Sequence, residues 1–297
     1  MNFLINPGTF LLLMLLTSCG NNGRDSSDFT PEFSFTPGIE GPAVNKEGDL
    51  FAVNFQKEGT IGKVSPDGKA EIFLSLPDES IGNGIRFDAL GDMFIADYVG
   101  HRIYRVPKGK NRPEVWAQDS SMNQPNDLAI SPKGIIYLSD PKWADNTGQL
   151  WMVGPERKMV LLEDNMGTTN GIEVSPDNGK LYVNESVQRT VWEYDILEDG
   201  SLGNKRVLIV FEDHGLDGMR CDSKGNLYIA RYGKGTVAMV SPEGEILREF
   251  RLKGEKPSNI AFGGKDGKSC FVTMADRGCI ETFKAPFPGS YYTQVQK

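Results

Sequence analysis

A repeat with a period in the low forties constrains this chain more than any other sequence feature. Six times, a glycine-containing turn precedes a short apolar run, and a second apolar run follows. The turn glycines, 42 to 46 residues apart, are Gly48, Gly91, Gly134, Gly179, Gly225 and Gly267. The first runs are 50–53, 93–96, 136–138, 181–183, 227–229 and 270–272, and the second runs are 61–64, 103–106, 150–153, 191–194, 237–240 and 280–283. A period of this length accommodates four strands with their turns, which is one blade of a β-propeller.

We therefore predict an all-β chain in which residues 30–297 form a single domain, a six-bladed β-propeller with four antiparallel strands per blade. The repeats contain no long amphipathic pattern, so a β/α repeat is not expected. A closed ring hides the strand edges that an open stack of blades would expose. Residues 29–35 precede the first repeat, and we expect them to supply the outer strand that closes the last blade.

The first residues resemble a bacterial export signal. Phe10–Leu16 is a short apolar core that cannot span a bilayer, and the small residues Thr17 and Ser18 separate it from Cys19, as in a lipobox. We interpret residues 1–18 as a cleaved lipoprotein signal peptide, Cys19 as the lipidated N-terminus, and residues 19–29 as a flexible tether. The protein would then be exported and anchored to a membrane, facing the periplasm or the exterior. The alternative is a plain secretion signal cleaved near the same place, because the first nine residues contain no Lys or Arg.

Charge and cysteine content limit the partners and the redox chemistry. The formal net charge is -8 and no run is rich in Lys or Arg, so nucleic-acid binding is not expected. Cys270 and Cys279 lie on two runs joined by a short turn, so either a disulfide or two buried free thiols is compatible with the sequence. The remaining cysteine, Cys221, is expected in the core, and no Cys/His cluster indicates zinc.

One polar residue recurs just before each turn glycine, at the same position of every repeat. The six, 41 to 47 residues apart, are Glu40, Asn83, Asn126, Asn170, Asp217 and Ser258. Equivalent positions of a closed propeller lie on one circle around its axis. Because these residues begin the innermost strands, we expect their side chains to converge at one mouth of the central channel.

Every member of this ring offers an oxygen atom. Two carboxylates with several amide oxygens form a ligand set for one hard divalent cation, and the two negative charges would repel each other without it. Calcium fits best, magnesium or manganese are alternatives, and zinc or copper fit less well because the ring has no His or Cys. Any single Asn or Asp here could instead cap a turn.

Four motifs in chain order coincide with the ring. They are Ile39-Glu40-Gly41-Pro42, Pro125-Asn126-Asp127-Leu128, Thr169-Asn170-Gly171-Ile172 and Leu216-Asp217-Gly218-Met219. In these motifs the chain resembles the gluconolactonase/regucalcin-like (SGL) family of six-bladed propellers, over about residues 36–285. It departs from that pattern at Gln124, where the regucalcin branch has arginine, and at Leu216, where proline is usual.

The resemblance implies which residues form the site. Glu40, Asn170 and Asp217 would bind the metal ion. Asn126 would be a fourth ligand, as in the related diisopropyl-fluorophosphatase type, or would contact substrate together with Asp127. Asn83 has no counterpart in this set, and its ring position predicts contact with substrate or with a bound water molecule.

The hypothesis for function is a metal-dependent hydrolase that acts on a small-molecule lactone or related ester. The metal would polarise the ester carbonyl and hold a water molecule, and Asp217 would take the proton of that water as the catalytic base. The absence of a Gly-X-Ser-X-Gly motif argues against a serine hydrolase. The alternative is a non-catalytic, calcium-containing propeller that binds a ligand or a protein partner.

Overall fold

Six antiparallel sheets of four strands each account for nearly all the secondary structure, which confirms the predicted all-β, six-bladed propeller. The structure is a computed structural model that describes residues 23–291. The predicted signal peptide, residues 1–18, and Cys19 lie outside the described residues. Within residues 23–291, none of the helices has the length and apolar character needed to cross a membrane.

The strands follow the repeats in chain order. A short strand β1 (Ser27–Asp28) comes first. Blade one contains β2 (Ala43–Val44), β3 (Leu50–Val53), β4 (Thr60–Val64) and β5 (Ala70–Ser75). Blade two contains β6 (Gly82–Phe87), β7 (Met93–Asp97), β8 (Arg102–Val106) and β9 (Glu114–Gln118). Blade three contains β10 (Leu128–Ile130), β11 (Ile136–Lys142), the 3-10 helix η1 (Trp143–Asp145), β12 (Thr147–Val153) and β13 (Met159–Met166). Blade four contains β14 (Thr169–Val174), β15 (Lys180–Glu185), β16 (Thr190–Ile196) and β17 (Leu202–Val210). Blade five contains β18 (Met219–Cys221), β19 (Leu227–Arg231), β20 (Thr236–Val240) and β21 (Ile246–Arg251). Blade six contains β22 (Pro257–Gly263), β23 (Ser269–Met274), β24 (Cys279–Lys284) and β1.

The predicted apolar runs are the second and third strands of each blade. Their residues are buried on both faces because each blade packs against the next, as β3 shows with all four residues buried. Phe51 and Val53 of blade one pack with Ile85 and Tyr104 of blade two in one apolar cluster. Burial of one such side chain stabilises the fold by roughly 1.5–3 kcal/mol. These inter-blade layers hold the ring together.

The N-terminal strand closes the ring through polar contacts. β1 pairs antiparallel with β24, with Ser27 opposite Thr282 and Asp28 opposite Glu281. Residues 29–35 extend this contact without forming a strand, since the Phe29 amide donates a hydrogen bond to the carbonyl of Ile280 at 2.8 Å. The prediction that residues 29–35 form the closing strand is therefore wrong by a few residues. The end of the predicted flexible tether, 19–29, is instead part of blade six.

Ion pairs rather than apolar contacts fix this strand. Arg277 contacts the carboxylates of Asp28 at 2.7 Å and of Glu281 at 2.5 Å. The hydrogen bond from Arg277 lowers the pKa of Asp28 against the opposing effect of burial. Because Ser27 and Asp28 are polar and exposed, apolar periodicity did not reveal the strand.

The three cysteines in the described residues are buried free thiols, so the disulfide alternative is wrong. In the hairpin of blade six, Cys270 lies opposite Phe283 and Cys279 lies opposite Met274, so the two residues are staggered along the strands. Both pack in one apolar cluster. Burial raises the pKa of Cys279 to about 12.

Candidate functional site

The side chains of the predicted ring converge at one mouth of the channel. A pocket of about 330 Å³ is lined by all six of them, namely Glu40, Asn83, Asn126, Asn170, Asp217 and Ser258. Each inner strand contacts the inner strands of the two neighbouring blades, which closes the circle. Backbone hydrogen bonds to the second strand of the same blade fix ring residues in place, as when the Asp217 amide donates to the carbonyl of Ala230 at 2.9 Å.

The glycine that follows several ring residues allows the inner strands to approach the axis. Gly41 has a φ of +54°, and a Cβ atom there would lie 2.0 Å from the carbonyl oxygen of Asn83. A Cβ atom on Gly218 would lie 2.0 Å from Cγ of Asn259. Only glycine fits such close approaches, so the glycines of the Glu40-Gly41 and Asp217-Gly218 pairs are a packing requirement of the ring.

Two carboxylates of the ring carry perturbed acidities. Glu40 is 8% exposed, and its Oε2 accepts hydrogen bonds from the Gly41 amide at 2.7 Å and from Asn259 Nδ2 at 2.9 Å. Burial raises the pKa of Glu40 to about 7 despite the Gly41 hydrogen bond. Burial and the neighbouring charge of Glu40 raise the pKa of Asp217 well above its usual range. In the absence of a cation, the pair therefore retains a proton near neutral pH.

Two amide oxygens of the ring lack a partner among the described residues. Asn126 is 5% exposed and Asn170 is 2% exposed, and Oδ1 of each makes no hydrogen bond. A buried carbonyl oxygen without a partner costs about 1–3 kcal/mol, so these two pocket-lining oxygens are available to coordinate a cation. Two carboxylates and two such oxygens match the donor set of a hard divalent cation. Residues 23–291 contain no metal-binding group of three or more His, Cys, Asp or Glu residues, so a cation here needs the amide oxygens.

Asp127 does not line the pocket, which differs from the expectation that it contacts substrate. Its carboxylate is fully buried, 2.8 Å from Arg86 and 3.3 Å from Arg220. Burial alone would raise the pKa of Asp127, but the two guanidinium groups outweigh it and hold the pKa below its usual range. The Asn259 amide lies 2.9 Å from Glu40 and 3.4 Å from Asp127, and so links the pocket to this buried cluster. Asp127 therefore supports the ring from beneath.

Three residues beneath the ring were not predicted from sequence, namely Arg86, Arg220 and Asn259. Arg86 and Arg220 each lie three residues after a ring residue, and Asn259 lies one residue after Ser258. Extending the repeat alignment along the inner strands would have placed them on two further circles of the channel. The two arginines would then have been recognised as neighbours of the Asp127 carboxylate.

The remaining ring members have defined partners. Asn83 is partly buried, and its Nδ2 donates to the carbonyl oxygen of Asn126 at 3.2 Å. The Ser258 hydroxyl is buried and donates to the carbonyl oxygen of Ile39 at 2.8 Å. Asn83 therefore faces the pocket beside Asn126. The Ser258 hydroxyl, in contrast, already bonds to Thr273 of its own blade and to Ile39 at the start of blade one.

Comparison with known proteins agrees with this architecture. The "Gluconolactonase" of Zymomonas mobilis is 27% identical over 272 residues, covering 80% of this chain and 76% of the relative. The "6-deoxy-6-sulfogluconolactonase" of Pseudomonas putida is 29% identical over 245 residues, covering 79% and 82%. A crystal structure described as a calcium-binding protein, regucalcin from Agrobacterium tumefaciens, superimposes with a TM-score of 0.76 at 20% identity, covering 90% of this chain and 95% of that one.

The family itself is defined over most of the propeller. Residues 39–276 match the description "SMP-30/Gluconolactonase/LRE-like region", and this range contains every ring residue. The chain therefore belongs to the SMP-30/gluconolactonase/LRE-like family.

Proposed function

We propose that the chain is a lactonase that hydrolyses a lactone or related ester in the ring pocket and depends on a divalent cation, calcium by preference. The observation that carries this proposal is the convergence of two carboxylates and two unpartnered amide oxygens in one pocket. Relatives named as lactonases that align with four-fifths of the chain support the reaction type.

The cation would be held by Glu40, Asn126, Asn170 and Asp217. The all-oxygen donor set favours calcium, and the calcium-binding description of a propeller of the same fold supports that choice. When bound, such a cation polarises an ester carbonyl as a Lewis acid.

Asp217 would act as the catalytic base. It lines the pocket, is only partly buried, and can receive the proton of an attacking water. Beside a dication its pKa would be lower than in the cation-free protein, which makes it a weak base suited to an activated ester rather than an amide. Asn83 and Asn126, which lie side by side at the wall, would orient the substrate.

A panel of lactones assayed with excess calcium or with EDTA tests this proposal. EDTA should abolish turnover, and Asp217→Asn should lower kcat by about 100-fold or more at saturating calcium. The matched control is Asp222→Asn. Asp222 is another aspartate of blade five, but it is buried in a turn with Asn226 and does not line the pocket. Turnover that survives both EDTA and Asp217→Asn would show that the ring is not the site. Calcium binding without hydrolysis of any lactone would favour the non-catalytic propeller.

We also propose that Cys19 carries a lipid and anchors the exported protein to a membrane. Its support is the apolar core followed by small residues before Cys19. In detergent phase partition, the wild-type protein should enter the detergent phase and Cys19→Ala should remain in the aqueous phase. A wild-type protein that is aqueous and begins after another residue would contradict the lipid anchor.

A further inference from the structure

We infer that the pocket selects lactones with an uncharged, largely apolar substituent, such as alkyl or aryl lactones, over polyhydroxylated or anionic sugar lactones. This inference rests on the proposed lactonase function and specifies its substrate class. It follows from three features of the pocket: its charge, its walls and the hydrogen bonds already made behind those walls.

The charge of the pocket is negative. Glu40, Glu58 and Asp217 line it, and no Lys, Arg or His does so among the described residues. Lys256 approaches the Tyr232 ring at 5.9 Å from its centroid but does not line the pocket. A divalent cation would balance Glu40 and Asp217, and the exposed Glu58 would remain at the rim. A phosphate or sulfonate substituent would therefore meet a carboxylate without a cationic side chain to receive it.

Aromatic and aliphatic residues share the walls of the pocket with the polar ring. Three aromatic side chains, Tyr98, Trp143 and Tyr232, line the pocket and are all partly accessible. Aliphatic contacts are added by Pro37, Ile81 and Ala275, which are all at least partly accessible. Aromatic and aliphatic walls of this kind gain from packing against an apolar substituent, while the polar ring below fixes the ester group.

Polar groups next to these walls are already hydrogen-bonded within the protein. Gln124 Nε2 donates to the Tyr98 hydroxyl oxygen at 2.8 Å, and Gln124 Oε1 accepts from the Trp143 amide at 3.2 Å. Asn54 Nδ2 donates to the Gly38 carbonyl oxygen at 2.7 Å. The side chain of Gln124 therefore holds two aromatic walls in position instead of facing the substrate.

A sugar lactone would consequently lose more than it gains in this pocket. Each of its hydroxyl groups must give up water, and Asn54 and Ser258 already use their polar groups within the protein. Outside the proposed ligand set, few side-chain groups of the described pocket lining remain to receive them, chiefly Asn83, Glu58 and the hydroxyl groups of Tyr98 and Tyr232. Buried hydroxyl groups without partners bind poorly, whereas an alkyl or aryl substituent carries no such penalty.

The test compares kcat/KM of the full chain with calcium on dihydrocoumarin, δ-nonalactone, glucono-δ-lactone and 6-phosphoglucono-δ-lactone. We expect dihydrocoumarin and δ-nonalactone to exceed glucono-δ-lactone by about tenfold or more, and the phosphorylated lactone to be the poorest substrate. The inference would be overturned if glucono-δ-lactone were hydrolysed as efficiently as the apolar lactones, or if the phosphorylated lactone were preferred.

Binding of the corresponding lactams separates this inference from the proposed function. The lactam analogue of dihydrocoumarin should bind at least tenfold more tightly than gluconolactam in titration calorimetry, whether or not any lactone is hydrolysed. Tight binding of the aryl lactam without hydrolysis would retain the pocket preference and refute the lactonase. Equal binding of both lactams would refute the preference whatever the turnover.

A pair of tryptophan variants tests the wall directly. Trp143→Ala should lower kcat/KM for dihydrocoumarin about tenfold and change that for glucono-δ-lactone by less than about twofold. Trp116→Ala is the matched control, since Trp116 of blade two contacts the guanidinium groups of Arg105 and Arg157 and does not line the pocket. An equal loss on both substrates in Trp143→Ala would show that Trp143 is not a specificity wall.

Discussion

Replacing Glu40 by glutamine should stabilise the cation-free protein while removing its response to calcium. The two hydrogen bonds to Glu40 both end on Oε2, so the amide oxygen of a glutamine can accept both and the shape of the site is kept. What the substitution removes is a buried negative charge beside Asp217 and above Asp127.

The magnitude follows from the acidity of Glu40. An ordinary glutamate titrates near 4.5, and burial raises the pKa of Glu40 to about 7. One pKa unit corresponds to about 1.4 kcal/mol, so keeping Glu40 ionised at pH 8 costs the folded, cation-free protein about 3 kcal/mol. The folded state binds this proton more tightly than the unfolded state does. The Glu40 contribution to the free energy of unfolding therefore falls as pH rises from about 4.5 to about 7 and is level above that.

The assay is thermal unfolding in EDTA and in calcium, from pH 4.5 to pH 8. In EDTA at pH 8, Glu40→Gln should unfold about 5–10 °C above wild type, and the difference should vanish near pH 4.5. Calcium should raise the Tm of wild type and leave that of the variant nearly unchanged.

A control with the opposite sign accompanies this prediction. Glu281 is fully buried, but it pairs with Arg277 and accepts hydrogen bonds from the Lys253 and Gly254 amides. Glu281→Gln should therefore destabilise the protein at pH 8. If Glu40→Gln in EDTA is no more stable than wild type at pH 8, the argument from burial is refuted.

Three further substitutions test the site and its support. Asn170→Ala should lower the Tm in EDTA by only about 2–4 °C, because it loses the hydrogen bond to Asp217 while its Oδ1 has no partner, and should abolish the rise with calcium; an unchanged rise would exclude Asn170 as a ligand. Arg220→Met should lower the free energy of unfolding by about 3 kcal/mol in urea titrations, since Asp127 keeps only one guanidinium partner; a loss under about 1 kcal/mol would contradict the supporting role. Arg277→Ala should lower the free energy of unfolding by about 2–3 kcal/mol in the same titration, and by less in a chain that lacks residues 1–28. An equal loss in both chains would show that Arg277 does not stabilise β1.

The parts of the fold that follow from sequence are those buried on both faces. The second and third strands of every blade were predicted because inter-blade packing demands uninterrupted apolar runs, as in β7 and β20. The outer strands were not located individually, since residues such as those of β17 alternate weakly and are largely exposed. The strand β1 was not located either, because its residues are exposed and ion pairs rather than apolar contacts stabilise it.

The candidate site was predictable to the same extent. Repeat spacing identifies which residues share a circle, and the six ring residues do share one pocket. Spacing does not say at what depth a circle lies, so Asp127, one residue after Asn126, was assigned to substrate although it points to Arg86 and Arg220. Depth depends on how closely the glycines let neighbouring strands approach, which only the packed structure gives.

The pairing of β1 with β24 makes the order of synthesis matter for this propeller. Blades one to five are each built from consecutive strands, so each can form soon after its own stretch of chain is available. Blade six alone joins strands roughly 250 residues apart, a contact of the long-range kind that slows folding. A chain that crosses a membrane N-terminus first would deliver β1 at the start and its partner at the end. A ribosome-stalled or truncated chain that stops before β22 would thus have five finished sheets and an open circle. Its pocket would be incomplete, because the lining residues Ser258 and Ala275 would not yet be present.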